Sequence, residues 1–296
     1  MKMGDEQESS NVEDVRGAGG GGFRPIHGVG LGTVAVALVA SWVFGLNPLQ
    51  VLGLLSGGSQ QGDTSIGAPG GQGAAGGAPP ADDEQAKFVS RVLHSTETVW
   101  SAVFAERGLS YQKPKLFLFR DSYPTGCGQG EAAAGPFYCE ADKNVDLDLG
   151  FFDTMDHELG APGQFAQAYV VGHEVGHHVQ DLLGILPKVN AQRERGSEAQ
   201  ANALSVRLEL QADCLAGVWA TRSQQQQGWR LEQGDIETAL NAAAQIGDDR
   251  LQRRARGTVV PESFTHGTSA QRVGWFKRGV DAGQVEACDT FRNPDP

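Results

Sequence analysis

The five residues His173-Glu174-Val175-Gly176-His177 constrain this chain more than any other stretch. They lie in a run from Gln164 to Leu183 that also carries Phe165, Tyr169, Val170, Val179 and Leu182. The apolar spacing predicts one helix, stopped by Gly184 and then Pro187. Helical positions four apart stand one above the other, so His173 and His177 can chelate a single ion. Glu174 is turned by about 100° from His173, which places its carboxylate beside a metal-activated water rather than on the metal. Solvated histidines on a surface helix would not need such apolar neighbours, and two unpaired imidazoles inside a fold are costly. The run is expected to be an inner helix built around a cation.

A catalytic zinc takes three protein ligands and leaves one position open. The extended H-x-x-G-x-x-H pattern would need Gly at 180 and His at 183, where the chain has Gln180 and Leu183. The third ligand is therefore sought in Arg207-Leu-Glu-Leu-Gln-Ala-Asp213. Ser197-Glu-Ala-Gln200 is a capping box that starts a helix running past Trp219, apolar at Leu204, Leu208, Ala212 and Leu215. Glu209 and Asp213 flank that stripe one turn apart, where ionised carboxylates need partners. Glu209 as metal ligand, with Asp213 accepting a ligand histidine's second N–H, satisfies both.

The rest of the chain divides by composition. Residues 1–28 are polar and glycine-rich and read as a flexible tail. Val29 to Leu46 holds no charge and is close to the ~20 residues that a helix needs to cross ~30 Å of hydrocarbon. It starts too late, and its apolar character continues too far, for a cleaved signal peptide. Lys2, Arg16 and Arg24 precede it and the next basic residue is Lys87, which predicts a cytoplasmic N-terminus and a domain outside. Residues 56–80 are Gly, Ala, Ser, Gln and Pro and read as a linker. The domain proper is expected over residues 81–296. With 24 Lys+Arg against 36 Asp+Glu the chain is strongly acidic, which argues against nucleic acid as a partner.

Within the domain, Phe88, Val92, Val99, Val103 and Phe104 predict a helix, and Lys115 to Arg120 a strand. Val145, Leu147 and Leu149 alternate with Asp146 and Asp148, as in a strand with one buried face. That strand is expected to lie along the cleft and pair with an extended substrate. Further helices are expected over about Asp235 to Ile246 and from Thr268, whose box to Gln271 precedes Val273, Trp275 and Phe276. Strands followed by a run of helices make an α+β domain.

His266 sits in a loop just ahead of the last helix, where it is a candidate hydrogen-bond donor to a developing oxyanion; the alternative is a histidine that only fixes the turn. His94, His157 and His178 have no ligand geometry with the pair. The four cysteines form no CxxC, so a thiolate metal site is not expected. An even count in an exported domain favours disulfides, with three connectivities open. Cys127 and Cys139 bracket a Gly/Pro-rich loop and are expected to pair, leaving Cys214 with Cys288.

HEVGHHVQ followed by ELQADCLAG resembles the bacterial neutral zinc metallopeptidase family, membrane-anchored proteins of the HExxH…ExxxD (gluzincin) type. The likeness extends to NVEDVRG in the tail, to GPFYC, and to SFTHGTSAQR near the C-terminus. It implies a zincin-like fold with His173, His177 and Glu209 on one Zn2+ and Glu174 as base. The expected protein is thus a single-pass peptidase of the cytoplasmic membrane, acting on peptide or protein substrates from its outer side. The rival is a zinc-stabilised envelope scaffold without activity, which would need a fourth protein ligand and would leave Glu174 without a role.

Overall fold

A computed structural model describes residues 1–3, 7–17, 76–131, 135–226 and 228–292. Its strands, in chain order, are β1 (Val12–Asp14), β2 (Lys115–Phe119), β3 (Ser122–Thr125), β4 (Gly128–Glu131), β5 (Phe137–Cys139) and β6 (Asn144–Asp148). The main sheet has the order β1-β2-β6-β5, with β1, β2 and β6 parallel and β5 antiparallel to β6. β3 and β4 form a separate hairpin. Leu116 and Leu118 lie opposite Val145 and Leu147, and all four join the main core with the helices.

Two expectations about β6 are corrected here. It is an interior strand, with β2 on one edge and β5 on the other, so its backbone has no free edge for a substrate. Its second face is also covered, since Asp146 and Asp148 are buried. Asp148 accepts from the backbone N–H of Asp121 at 3.0 Å and of Gly150 at 2.7 Å, which ties the strand end to the next helix. Asp146 lies between Phe117 and Phe137 in register, and burial, with the Asp142 charge adding, pushes its carboxyl up to about 7. Alternating polarity reads as half-exposure only when the polar groups reach water.

Among the described residues eight α-helices follow or precede these strands: α1 (Glu84–Ala105), α2 (Gly150–His157), α3 (Gln164–Leu182), α4 (Ile185–Arg193), α5 (Glu198–Ser223), α6 (Asp235–Gln245), α7 (Asp248–Arg256) and α8 (Ser269–Ala282). The domain is a mixed α+β one with a small sheet. Both expected capping boxes are formed, by Ser197 with Gln200 and by Thr268 with Gln271. α2, α4 and α7 were not expected. α4 contains Pro187, which sits in the first turn, where a missing N–H costs no helical bond.

α5 is the central helix, packed against α3 on one side and α8 on another. Glycine permits the tightest of these approaches. A Cβ at Gly279 of α8 would lie 1.9 Å from the Cys214 carbonyl oxygen of α5, a distance no side chain tolerates. The disulfide Cys214–Cys288 fastens the C-terminal segment to the same helix, and Cys127–Cys139 closes the other expected pair.

The N-terminal segment departs from the flexible tail expected over residues 1–28. Val12–Asp14 is one edge strand of the main sheet, and Lys2 bridges to Arg230. The domain also begins before residue 81, because Gly77 pairs with Asp14. Among the described residues no helix is long and apolar enough to cross a membrane. The expected span at 29–46 and most of the expected linker lie outside the described residues.

Candidate metal centre

α3 is almost wholly buried, which fixes the rotation of His173 and His177 about its axis. α5 lies against it at Gly176, where an added Cβ would sit 3.0 Å from the Ala212 carbonyl oxygen. That close approach brings Glu209 to the histidines. Glu209 Oε2 is 3.1 Å from His173 Nε2, and Oε1 is 3.3 Å from His177 Nε2. One ligand atom from each of the three residues lies within 4.8 Å of the others.

The two separations from Glu209 suit a small cation. Ligands about 2.0–2.1 Å from a tetrahedral zinc stand about 3.3 Å apart. Orientation fits as well. His173 Nδ1 donates to Asp213 Oδ1 at 2.8 Å, and His177 Nδ1 donates to Gln180 Oε1 at 2.8 Å. Each bond holds its ring in the tautomer whose Nε2 lone pair faces Glu209.

The charges agree. Burial opposes a proton on His173, but Asp213 and Glu209 overcome it and raise the metal-free imidazole to about 10. A field that strong favours positive charge at this point, whether carried by a proton or by a divalent ion. Burial likewise opposes ionisation of Asp213, yet Arg272 and His173 hold its carboxyl down at about 2. Glu174 is buried too and is not one of the three converging residues. Burial pushes its carboxyl up, and the two histidines partly offset that.

His266 lies within electrostatic reach of Glu209. Asp248, at the start of α7, accepts the backbone N–H groups of Thr265, His266 and Gly267 at 2.8, 2.7 and 3.0 Å. Its other oxygen is 3.3 Å from His266 Nδ1. The loop and the imidazole are therefore set by one buried carboxylate. His178 goes elsewhere, with Nε2 donating to the Gln112 carbonyl at 2.6 Å. A family profile described as "Putative neutral zinc metallopeptidase" matches residues 1–291.

The chain belongs to that family. It is 50% identical over 300 residues to "Uncharacterized protein YpfJ" of Escherichia coli (strain K12), covering 98% of this chain and 99% of that one. It is 42% identical over 211 residues to "Uncharacterized protein Rv2575" of Mycobacterium tuberculosis (strain ATCC 25618 / H37Rv), covering 68% and 69%. "Uncharacterized protein Mb2605" of Mycobacterium bovis matches to the same extent. No solved structure matches.

In this zinc metallopeptidase family member, sequence reasoning missed three residues that hold the site. Arg272 donates from Nε to Asp213 Oδ2 at 2.8 Å and from Nη2 to Oδ1 at 2.9 Å. Tyr169, one helical turn before His173, donates its hydroxyl to Asp213. Gln180 passes the fold's order to His177 by donating to the Leu208 carbonyl at 2.7 Å and to Gln211 Oε1 at 3.1 Å. The available signals were spacing: Tyr169 and Gln180 stand four and three residues from the histidines, and Arg272 interrupts an inward-facing helix start.

Proposed function

We propose that this protein is a zincin-like endopeptidase that hydrolyses peptide bonds at the His173/His177/Glu209 centre. The observation that carries the reading is a division among neighbouring groups. His173, His177 and Glu209 bring ligand atoms within 4.8 Å of one another, and Glu174, buried on the helix of the two histidines, stays outside that set. A closed structural site would need a fourth protein ligand. When bound there, zinc supplies Lewis-acid polarisation of a water and of the scissile carbonyl.

The chain's own residues supply the remaining steps. Glu174 accepts the proton of the attacking water and delivers it to the leaving amine. Its burial keeps that carboxyl above the ordinary range, which suits a group that must both take and return a proton. Asp248 accepts from His266 Nδ1. Burial opposes a second proton on that ring, but Asp248 and Glu209 outweigh it and favour the doubly protonated form, whose Nε2–H donates to the oxyanion as it forms. With β6 enclosed, pairing with an extended substrate falls to an edge strand, and we assign it to β5. The two disulfides favour an oxidising compartment for the domain. Membrane attachment through Val29–Leu46 belongs to the same reading.

The test compares full-length protein with its Glu174→Gln variant, both loaded with zinc, on a denatured protein mixture. Cleavage by the first alone is expected. Equal cleavage, or none by either at full zinc loading, contradicts the peptidase reading and favours a scaffold.

A further inference from the structure

The Asn11–Gly17 motif has no part in the metal centre, yet it is held from every side. Ser9 Oγ and Asn11 Nδ2 donate to Glu97 Oε1 at 2.7 and 2.6 Å, and Lys113 Nζ takes the other oxygen at 3.0 Å. Glu97 is buried on α1, so without the N-terminal segment its charge would lose two of these three donors. Along the sheet, Leu116 N–H donates to the Asn11 carbonyl and Val15 N–H to the Leu118 carbonyl, both at 2.9 Å. Val15 completes the small apolar cluster of Phe119 and Tyr123.

The point of departure and the point of return also coincide. Asp14 and Gly77 exchange backbone hydrogen bonds at 2.7 and 3.2 Å. Arg16 bridges Asp14 at 2.6 Å and Asp83, the N-cap of α1, at 2.7 Å. The described residues on either side of 18–75 therefore meet at one corner of the domain.

We infer that the N-terminal segment and the metal-binding domain lie on the same side of the membrane, so that Val29–Leu46 does not carry the chain across it once. A strand cannot pair with a sheet on the far side of ~30 Å of hydrocarbon. Any entry into the bilayer between residues 17 and 76 is reversed before Gly76. The count of basic residues, which predicted a cytoplasmic N-terminus, loses its force for the same reason. Arg16 is ion-paired with Asp14 and Asp83, and Lys2 lies 2.9 Å from Glu232, so two of the three basic residues in that count are held by the folded domain.

The experiment labels two exposed positions of the full-length protein, as Ser10→Cys and Arg292→Cys variants, in intact spheroplasts with a membrane-impermeant maleimide. Both cysteines are expected to respond alike, either reacting before permeabilisation or only after it. Labelling of Arg292→Cys with Ser10→Cys protected until lysis, or the reverse, overturns the inference. A second variant, Asn11→Asp, sets a carboxylate against Glu97 and is expected to lower the thermal midpoint of the full chain by several degrees. An unchanged midpoint would show that the strand is not docked, and would overturn it equally.

Discussion

Two arginines each clamp a pair of elements through aspartate, and the difference between them lies in water. Arg272 reaches Asp213 beneath the metal centre, with side chains 3% and 0% exposed. Arg16 joins Asp14 to Asp83 at the edge of β1, with side chains 17%, 13% and 21% exposed. The distances are nearly the same, so geometry alone would rank the two clamps together. Burial separates them, because a desolvated charge that loses its partner has nothing to replace it, whereas a surface charge finds water. The buried clamp also has a further duty. Asp213 orients His173, so whatever disturbs Arg272 is felt at the His173 ring.

Arg272→Leu should therefore have the largest effect, destabilising the protein by about 3–5 kcal/mol as Asp213 is left without its guanidinium. Denaturant unfolding checks this, and a loss no greater than that of Arg16→Ala would erase the contrast. Asp213→Asn keeps the volume but weakens the hold on His173, so zinc affinity should fall by about 10–100-fold in competition with a chromophoric chelator. Gln180→Ala releases the neutral support of His177, which should cost less than Asp213→Asn in the same titration. Arg16→Ala should change stability by about 1 kcal/mol or less. Acid acts on the same exposed corner. The Arg16 hydrogen bond lowers the Asp14 carboxyl; at Asp83 burial opposes ionisation, but the Ala86 N–H and Arg16 prevail. Their contribution is complete above the ordinary value of 3.8 and is lost as pH falls through the lowered one, read as a small fall in thermal midpoint that Arg16→Ala reduces.

The sequence brought out the three converging side chains because helical periodicity and capping are local. His173 and His177 share a face by spacing alone, and the Ser197 box set the register that carries Glu209. Residues whose role depends on what packs against them were not visible. Arg272 became a partner of Asp213 only when glycine contacts brought α8 onto α5. β6 read as half-exposed because Asp146 and Asp148 are polar, and only the assembled sheet shows both of them enclosed. The tail misled for a related reason. A short strand such as Val12–Asp14 has too few residues to announce itself, and its partners Leu116–Leu118 lie on the far side of a glycine-rich stretch.

The central claim is that three side chains hold one metal and Glu174 does not. Zinc content of the full-length protein, measured after dialysis against a weak chelator, tests it directly. The account predicts one zinc per chain in the native protein and in Glu174→Gln, and none in Glu209→Ala. Retention of zinc by Glu209→Ala, or its loss from Glu174→Gln, would contradict the account.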